Sequence, residues 1–178
     1  LGGTDNCTLV RAVRPEIALL EQNGITKLAL PRITDPSVIP LWFGEGDEVT
    51  PDYIRDAAKQ ALDDGETFYV HTRGLESLRN EVRAYLSRLY QVELSPDRVS
   101  IPGSTMLGIH ISAQMALTSG DHGLIVSPHW PNIENVFRVT GAEVGIVRQR
   151  QSTHGWQLSA DHIIAAVKSN TRCIFVNS

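Results

Sequence analysis

Short apolar segments alternate with amphipathic segments from about residue 95 to the end of the sequence. Each apolar segment is bounded by glycine, proline or polar residues and is too short for a buried helix, so it predicts a strand. Four strands are predicted, over Arg98 to Ile101, Gly123 to Ser127, Glu143 to Val147 and Cys173 to Asn177. Because helical periods separate them, we expect a parallel sheet with helices on both faces. The sequence therefore predicts an α/β fold.

The amphipathic segments predict helices along the whole chain. Thr50-Pro51-Asp52 is a strong helix start, because a hydroxyl, a proline and an acidic residue all favour a first turn, and this helix is expected to reach about Asp64. The other predicted helices cover Val10 to Asn23 with Gly24 as a C-terminal cap, Leu75 to Tyr90, the segment after the loop Gly103-Ser104-Thr105 to about Ser119, the segment that ends at Gly141, and Ala160 to Lys168 with Ser159 as N-cap. A further short strand is predicted over Ile39 to Phe43.

Charge and hydropathy exclude several classes of partner. Lys and Arg total 16 against 20 Asp and Glu, a formal net charge of -4, which gives no electrostatic case for nucleic acid or an anionic membrane surface. No apolar run exceeds five residues, far short of a membrane helix. The first residues lack a secretory signal pattern, and Cys7 and Cys173 lie far apart without disulfide-scaffold or metal spacing. We expect a cytoplasmic protein with no nucleic-acid or membrane partner.

One loop has the composition of an anion site. Gly103-Ser104-Thr105 lies between a predicted strand and a predicted helix, where amides, hydroxyls and the helix dipole can converge on a phosphate. The same residues also form an ordinary turn with an N-cap, and both interpretations stay open. A P-loop is excluded because no lysine follows, and a dinucleotide site at Gly44-Glu45-Gly46 is rejected because Val49 occupies the third glycine position. None of the six histidines has metal spacing, so no metal is expected.

Two aromatic residues are candidate ligand contacts. Trp130 follows a predicted strand in the corner Pro128-His129-Trp130-Pro131, where an exposed indole could stack on a heteroaromatic ring or pack under its own loop. Tyr69 lies between two predicted helices and could offer its phenol to a phosphate or fill a packing gap.

Together these segments resemble one enzyme family. The matching residues are Leu41-Trp42-Phe43-Gly44-Glu45-Gly46-Asp47, Thr50-Pro51, Tyr69, Gly74-Leu75, Leu78-Arg79, Gly103-Ser104-Thr105, Gly120-Asp121, Pro128 to Asn132, Gly141-Ala142 and Phe175-Val176-Asn177-Ser178. In this order they resemble the class I/II aminotransferases, the fold-type I enzymes that use pyridoxal 5'-phosphate. The resemblance runs from about Ile39 to Ser178. Gly46, Met106 and Leu107 depart from residues common in the family.

The resemblance implies roles for five residues. Ser104 and Thr105 are expected to bind the cofactor phosphate, and Trp130 to stack on its pyridine ring and to contact substrate. Tyr69 is expected to reach the cofactor phosphate of a neighbouring subunit, which implies a homodimer. Gly44 is expected to lie beside the substrate carboxylate.

The resemblance also implies an architecture and a reaction. We expect a truncated three-layer α/β/α domain with a mostly parallel sheet, plus part of a small α+β domain. Residues 1–48 would form the N-terminal segment and small-domain part, and residues 49–178 the start of the cofactor-binding large domain. The implied function is transfer of an amino group from an amino acid to a 2-oxo acid. Alternatives are the effector-binding module of a transcription regulator and a pyridoxal-phosphate-dependent carbon–sulfur lyase.

The family's cofactor lysine is expected beyond Ser178, so no catalytic residue is assigned in this chain. Lys27, Lys59 and Lys168 are interpreted as surface residues. The 178 residues alone are therefore expected to be inactive, as the amino-terminal portion of a longer enzyme.

Overall fold

A computed structural model describes residues 13–153 and 155–177. They form two compact units, one from the described residues of 1–42 and 109–178 and the other from Phe43–Gly108. The predicted boundary between residues 48 and 49 concerns the domains of a complete protein and stays a prediction.

The described helices and strands alternate in the second half of the chain. The α-helices are α1 (Pro15–Ala18), α2 (Gly24–Ala29), α3 (Asp52–Asp63), α4 (Glu76–Tyr90), α5 (Thr105–Ala116), α6 (Asn132–Val139) and α7 (Ala160–Ala166). The strands are β1 (His122–Ser127), β2 (Glu143–Arg148), β3 (Arg150–Ser152), β4 (Gly155–Gln157) and β5 (Thr171–Val176). Short 3-10 helices cover Leu30–Arg32 and Pro96–Arg98. In the described residues, no helix is both long and apolar enough to cross a membrane.

A three-stranded parallel sheet lies at the centre of the first unit. Its order is β2-β1-β5, and Leu124 in β1 is in register with Gly145 in β2 and Ile174 in β5. β1 is buried from His122 to Val126, as expected for a strand with neighbours on both sides. The parallel pairing and the flanking helices confirm the predicted α/β fold.

The core of this unit forms where α6 packs against β1 and β2. Apolar residues at helical spacing in α6 are buried, namely Ile133, Val136 and Phe137. His122 is the buried polar member of the core, and its Nδ1 lies 2.8 Å from the Thr171 hydroxyl in β5. That hydrogen bond satisfies a side chain that would otherwise be costly to bury.

Two of the predicted helices define the second unit. α3 begins directly after Pro51, and α4 ends at Tyr90 with Gln91 in the left-handed conformation at φ 53°. Both agree closely with the predicted bounds. α5 begins at Thr105, the last residue of the predicted loop, and ends at Ala116, three residues earlier than expected.

The predicted helix over Val10 to Asn23 is wrong within the described residues, and residues 10–12 lie outside them. The described helix begins only at Pro15, because proline has no N–H to donate and fits the first helical turn. Gly24 is the first residue of α2 and not a C-terminal cap, since the Asn23 side chain accepts a hydrogen bond from Ile25 N at 2.8 Å and caps the new helix.

Two predicted strands are absent from the described chain. Ile39 to Phe43 is irregular, with Leu41 N bonded to Ile39 O at 3.1 Å in a local turn. In the segment Arg98 to Ile101, the Ile101 N–H donates to Arg73 O at 2.9 Å. Because these backbone groups bond to loops and side chains, neither segment joins a sheet.

The antiparallel hairpin of β3 and β4 was not predicted. Gln151 is in register with Trp156, and both strands are mainly exposed. Its residues lack the apolar alternation that indicates a half-buried strand, so no local pattern predicts this hairpin.

Candidate functional site

The loop before α5 places two hydroxyl side chains at the start of a helix. Gly103 has φ +86°, and the exposed Ser104 caps the helix by accepting a hydrogen bond from Leu107 N at 3.2 Å. The N-cap interpretation is therefore correct, yet it does not exclude a phosphate, because a hydroxyl that accepts one hydrogen bond still has its own proton to donate.

The donors at this helix start suit a phosphate. Ser104 and Thr105 are both exposed, and they lie at the N-terminus of a 12-residue helix whose dipole favours negative charge. Hydroxyl donors and the positive end of a helix dipole match the acceptor-only oxygens of a dianionic phosphate. The residues present thus fit the phosphate of the cofactor that the sequence resemblance implies.

Trp130 lies at the carboxyl edge of the sheet in the first unit. It follows β1 after a cis Ser127-Pro128 bond, and 38% of the residue is exposed. Its backbone N–H donates to Asn177 Oδ1 at 3.3 Å, and its carbonyl accepts from Ile133 N at 3.1 Å in the first turn of α6. One hydrogen bond on each side of Trp130 thus fixes the backbone of this corner. Trp130 itself stays partly exposed to solvent.

Sequence reasoning missed the role of Asn177. This residue directly follows β5, which lies beside β1, so its side chain reaches the corner that follows β1. The signal was present, because the carboxyl ends of neighbouring parallel strands meet at one edge of a sheet.

His129 was also missed. Its side chain is only 8% exposed, and its Nε2 lies 3.2 Å from Glu134 Oε1. The distance allows an ion pair, but neither ring nitrogen makes a hydrogen bond of good geometry within the described residues. Glu134 also approaches Arg138, at 3.5 Å, so its carboxylate is shared along one face of α6.

Tyr69 and Gly44 both lie in the second unit, as do Ser104 and Thr105. Tyr69 is fully exposed, so within the described chain it fills no packing gap. Gly44 is exposed, and a methyl group added there would meet no atom within 4 Å. Trp130 belongs to the other unit.

The described lysines match their predicted surface positions. Lys168 Nζ lies 2.5 Å from Glu143 Oε1, and this ammonium group holds the pKa of the Glu143 carboxyl below its ordinary value. Lys59 pairs with Asp56 at 2.8 Å on the exposed side of α3, and Lys27 is exposed. Glu143 begins β2, at the opposite end of the sheet from Trp130.

The Cys173 thiol and the candidate metal ligands are the remaining groups with possible chemistry in the described residues. Burial raises the pKa of the Cys173 thiol, which keeps this thiol protonated and unreactive. Across residues 13–153 and 155–177, no group of three His, Cys, Asp or Glu side chains could hold a metal ion.

Comparison with known proteins identifies the family. The family model described as "Aminotransferase class I and II" matches residues 38–178. The chain is 28% identical to the probable N-acetyl-LL-diaminopimelate aminotransferase of Bacillus subtilis, over 91% of the chain and 41% of that protein. It is 29% identical to the probable aspartate/prephenate aminotransferase of Aquifex aeolicus, over 79% of the chain and 36% of that protein.

Solved structures show the same fold. The alanine aminotransferase of Pyrococcus furiosus superimposes with a TM-score of 0.81 at 21% identity, over 91% of this chain and 42% of that one. The chain thus spans about two fifths of the length of the proteins it matches. Since the family match covers most of the sequence and includes all five predicted site residues, the chain belongs to the class I and II aminotransferase family.

Proposed function

We propose that the complete protein transfers an amino group from an amino acid to a 2-oxo acid, with pyridoxal 5'-phosphate as cofactor. The observation that carries the proposal is the family match over residues 38–178, which includes Gly44, Tyr69, Ser104, Thr105 and Trp130. The relatives' names support amino-group transfer over an effector-binding module or a carbon–sulfur lyase.

Ser104 and Thr105 would hold the cofactor phosphate. Both hydroxyls are exposed at the start of α5, where they can donate hydrogen bonds to phosphate oxygens. The cap that Ser104 makes to Leu107 N fixes the position of its oxygen before any ligand arrives. This preorganisation lowers the entropy that binding would otherwise cost.

Trp130 would supply the flat surface for the pyridine ring. Its backbone is fixed by Asn177 on one side and by the first turn of α6 on the other, so the segment that carries the indole does not need to be ordered on binding. When bound, the cofactor supplies an electron sink for the substrate's α-carbon, and the protein supplies orientation and electrostatics.

Tyr69 would act across a subunit interface. A tyrosine that is fully exposed within its own chain can donate its phenolic hydrogen bond to a phosphate held by a second copy. The proposal therefore includes a homodimer, with Tyr69 completing its partner's phosphate site. Gly44 would leave room for the substrate carboxylate, because no side chain projects from its exposed backbone.

The proposal includes the domains and location inferred from the sequence. Residues 1–48 would belong to the N-terminal segment and small domain, and residues 49–178 to the start of the large domain. The lysine that carries the cofactor would come from a part of the complete protein that this chain does not span. A cytoplasmic location agrees with two cysteines that lack a disulfide-scaffold spacing.

Absorption spectroscopy of the complete protein tests this function. Pyridoxal 5'-phosphate is added to the apoprotein, followed by a mixture of amino acids, and the released products are identified by mass spectrometry. The proposal expects a protein-bound cofactor band that bleaches as 2-oxo acid appears without ammonia. Ammonia released with the oxo acid would favour a lyase, and a band that persists without product would favour an effector-binding module.

A further inference from the structure

The segment that leads into the phosphate-binding loop is tied to the start of α4 by two arginines. Arg79, in the first turns of α4, donates from Nε to Val99 O at 3.0 Å and from a terminal nitrogen to Pro96 O at 2.7 Å. Its guanidinium thus bridges two backbone carbonyls. Pro96 begins the 3-10 helix, and Val99 directly follows that helix in an extended conformation.

Arg73 holds the same segment from a second direction. Its guanidinium contacts Asp97 Oδ1 at 2.9 Å, Ser100 Oγ at 3.3 Å and the carbonyl of Asp97. Its own carbonyl accepts from Ile101 N at 2.9 Å. No strand pairs with residues 96–101 in the described chain, so the carbonyls of Pro96, Asp97 and Val99 and the N–H of Ile101 find their partners in Arg73 and Arg79.

Packing adds a third restraint. Gly74 is buried at φ +95°, and a Cβ added to it would lie 2.7 Å from Ile101 Cβ. The backbone between the two arginines therefore lies directly against Ile101, two residues before Gly103. Only glycine permits both the positive φ and this close approach.

These contacts converge on residues 96–101, immediately before the loop that caps α5. We propose that Arg79, together with Arg73, positions the phosphate-binding loop Gly103-Ser104-Thr105 by holding the carbonyls of the preceding segment. Neither arginine needs to touch the ligand, because the clamp acts through the backbone that sets where the Ser104 and Thr105 hydroxyls lie. This inference rests on the proposed function, since it takes the ligand of that loop to be the cofactor phosphate.

The ratio of two affinities tests the clamp. The complete protein is titrated with pyridoxal 5'-phosphate and with pyridoxal, which lacks the phosphate. The Kd for pyridoxal divided by the Kd for pyridoxal 5'-phosphate reports how much the phosphate contributes to binding. Arg79→Met is expected to reduce this ratio by at most about a hundredfold, because the lost bonds join Arg79 to the backbone and only the part of their free energy that positions the loop reaches phosphate binding. The Kd for pyridoxal itself is expected to stay at the wild-type value, which a general loss of structure would not allow.

Two further variants separate the clamp from net charge. Arg79→Lys keeps the positive charge but cannot present two donors in a fixed fork, so its ratio should fall nearly as far as that of Arg79→Met. Arg88→Met removes a charge from the exposed last turn of the same helix and should leave the ratio unchanged. A wild-type ratio in Arg79→Lys, or an equal fall in Arg88→Met, would overturn the clamp in favour of long-range electrostatics.

The outcomes also distinguish this inference from the proposed function. If the wild-type protein binds both compounds equally, the phosphate site and the clamp are both overturned. If it prefers the phosphate and Arg79→Met keeps that preference, only the clamp is overturned. Should Arg79→Met fail to fold, Arg79→Lys decides, because it keeps the positive charge but not the fork that spans Pro96 O and Val99 O. A fall in the ratio then supports the clamp, and a wild-type ratio overturns it.

Discussion

Gly123→Ala is expected to destabilise the sheet that carries Trp130. A methyl group at Gly123 would lie 2.6 Å from Phe137 Cδ2, 2.7 Å from Phe137 Cε2 and 3.3 Å from Leu117 Cδ1. Phe137 is only 2% exposed, so its ring cannot turn away without disturbing the core between α6 and β1. Overpacking of this kind costs roughly 1–3 kcal/mol, and alanine recovers about 0.5–1 kcal/mol of backbone entropy. The net loss should be about 1 kcal/mol and at most about 2.5 kcal/mol.

Equilibrium urea denaturation of the complete protein, followed by circular dichroism, measures this change. Gly24→Ala is the matched control, because a methyl group there meets no atom within 4 Å and Gly24 lies in the first turn of α2. The control should be as stable as the wild type or slightly more stable. A Gly123→Ala variant that unfolds at the wild-type urea concentration would refute the argument from close approach.

A double variant tests the cause. Phe137→Leu removes the ring atoms nearest to the added methyl group, so Gly123→Ala with Phe137→Leu should be less destabilised than the sum of the two single changes, by about 1 kcal/mol. Strictly additive effects would show that the ring is not what opposes the methyl group.

Three further predictions concern the site and the surface. Trp130→Ala should weaken cofactor binding by about 1 kcal/mol through lost stacking, and an unchanged Kd in a fluorescence titration would remove that role. Tyr69→Phe should weaken cofactor retention by the dimer by roughly 1.5–3 kcal/mol, and wild-type retention during dialysis would contradict the contact across subunits. The pKa of Glu143 is lowered in the folded protein, so its ion pair with Lys168 stabilises the fold fully when the pH is above the ordinary pKa of a glutamate. This stabilisation is lost as the pH falls through the lowered pKa of Glu143. In an NMR titration, Lys168→Met should raise the Glu143 pKa toward its ordinary value, and no change would show that the lysine is not the cause.

Local patterns predicted the three strands of the parallel sheet and the helices beside them. β1 and β5 are short apolar segments bounded by turn residues, and Ser159 caps α7 through its hydrogen bond from Asp161 N at 3.2 Å. In each case the signal lies within a few residues of the element that it specifies, so a single sequence is sufficient to find it.

The wrong predictions share a different cause. Pro15 lies inside an apolar period that continues on both sides of it, and the period alone does not show that the helix must begin there. The segment Arg98 to Ile101 has the composition of a strand, but its hydrogen bonds go to Arg73 and Arg79, about 20 residues or more away in the sequence. Contacts at that separation depend on the fold and not on local pattern.

In the candidate site too, local patterns indicated some residues and missed others. Ser104 and Trp130 stand out because each lies at the junction of an element and a polar or proline-rich loop. Asn177 was missed because its contact joins the end of β5 to the corner after β1. The pair His129 and Glu134 was missed although the two residues are close in sequence, because their contact follows no periodic pattern. Family resemblance supplied the role of Tyr69, which exposure alone does not specify.

Isotope transfer tests the central claim most directly. The complete protein is incubated with pyridoxal 5'-phosphate, a mixture of ¹⁵N-labelled amino acids and a panel of unlabelled 2-oxo acids, and the products are separated and analysed by mass spectrometry. The account predicts ¹⁵N in the amino acid that corresponds to one of the added oxo acids, and only when the cofactor is present. Label that appears as ammonia, or that stays entirely in the donors while the cofactor is bound, would contradict it.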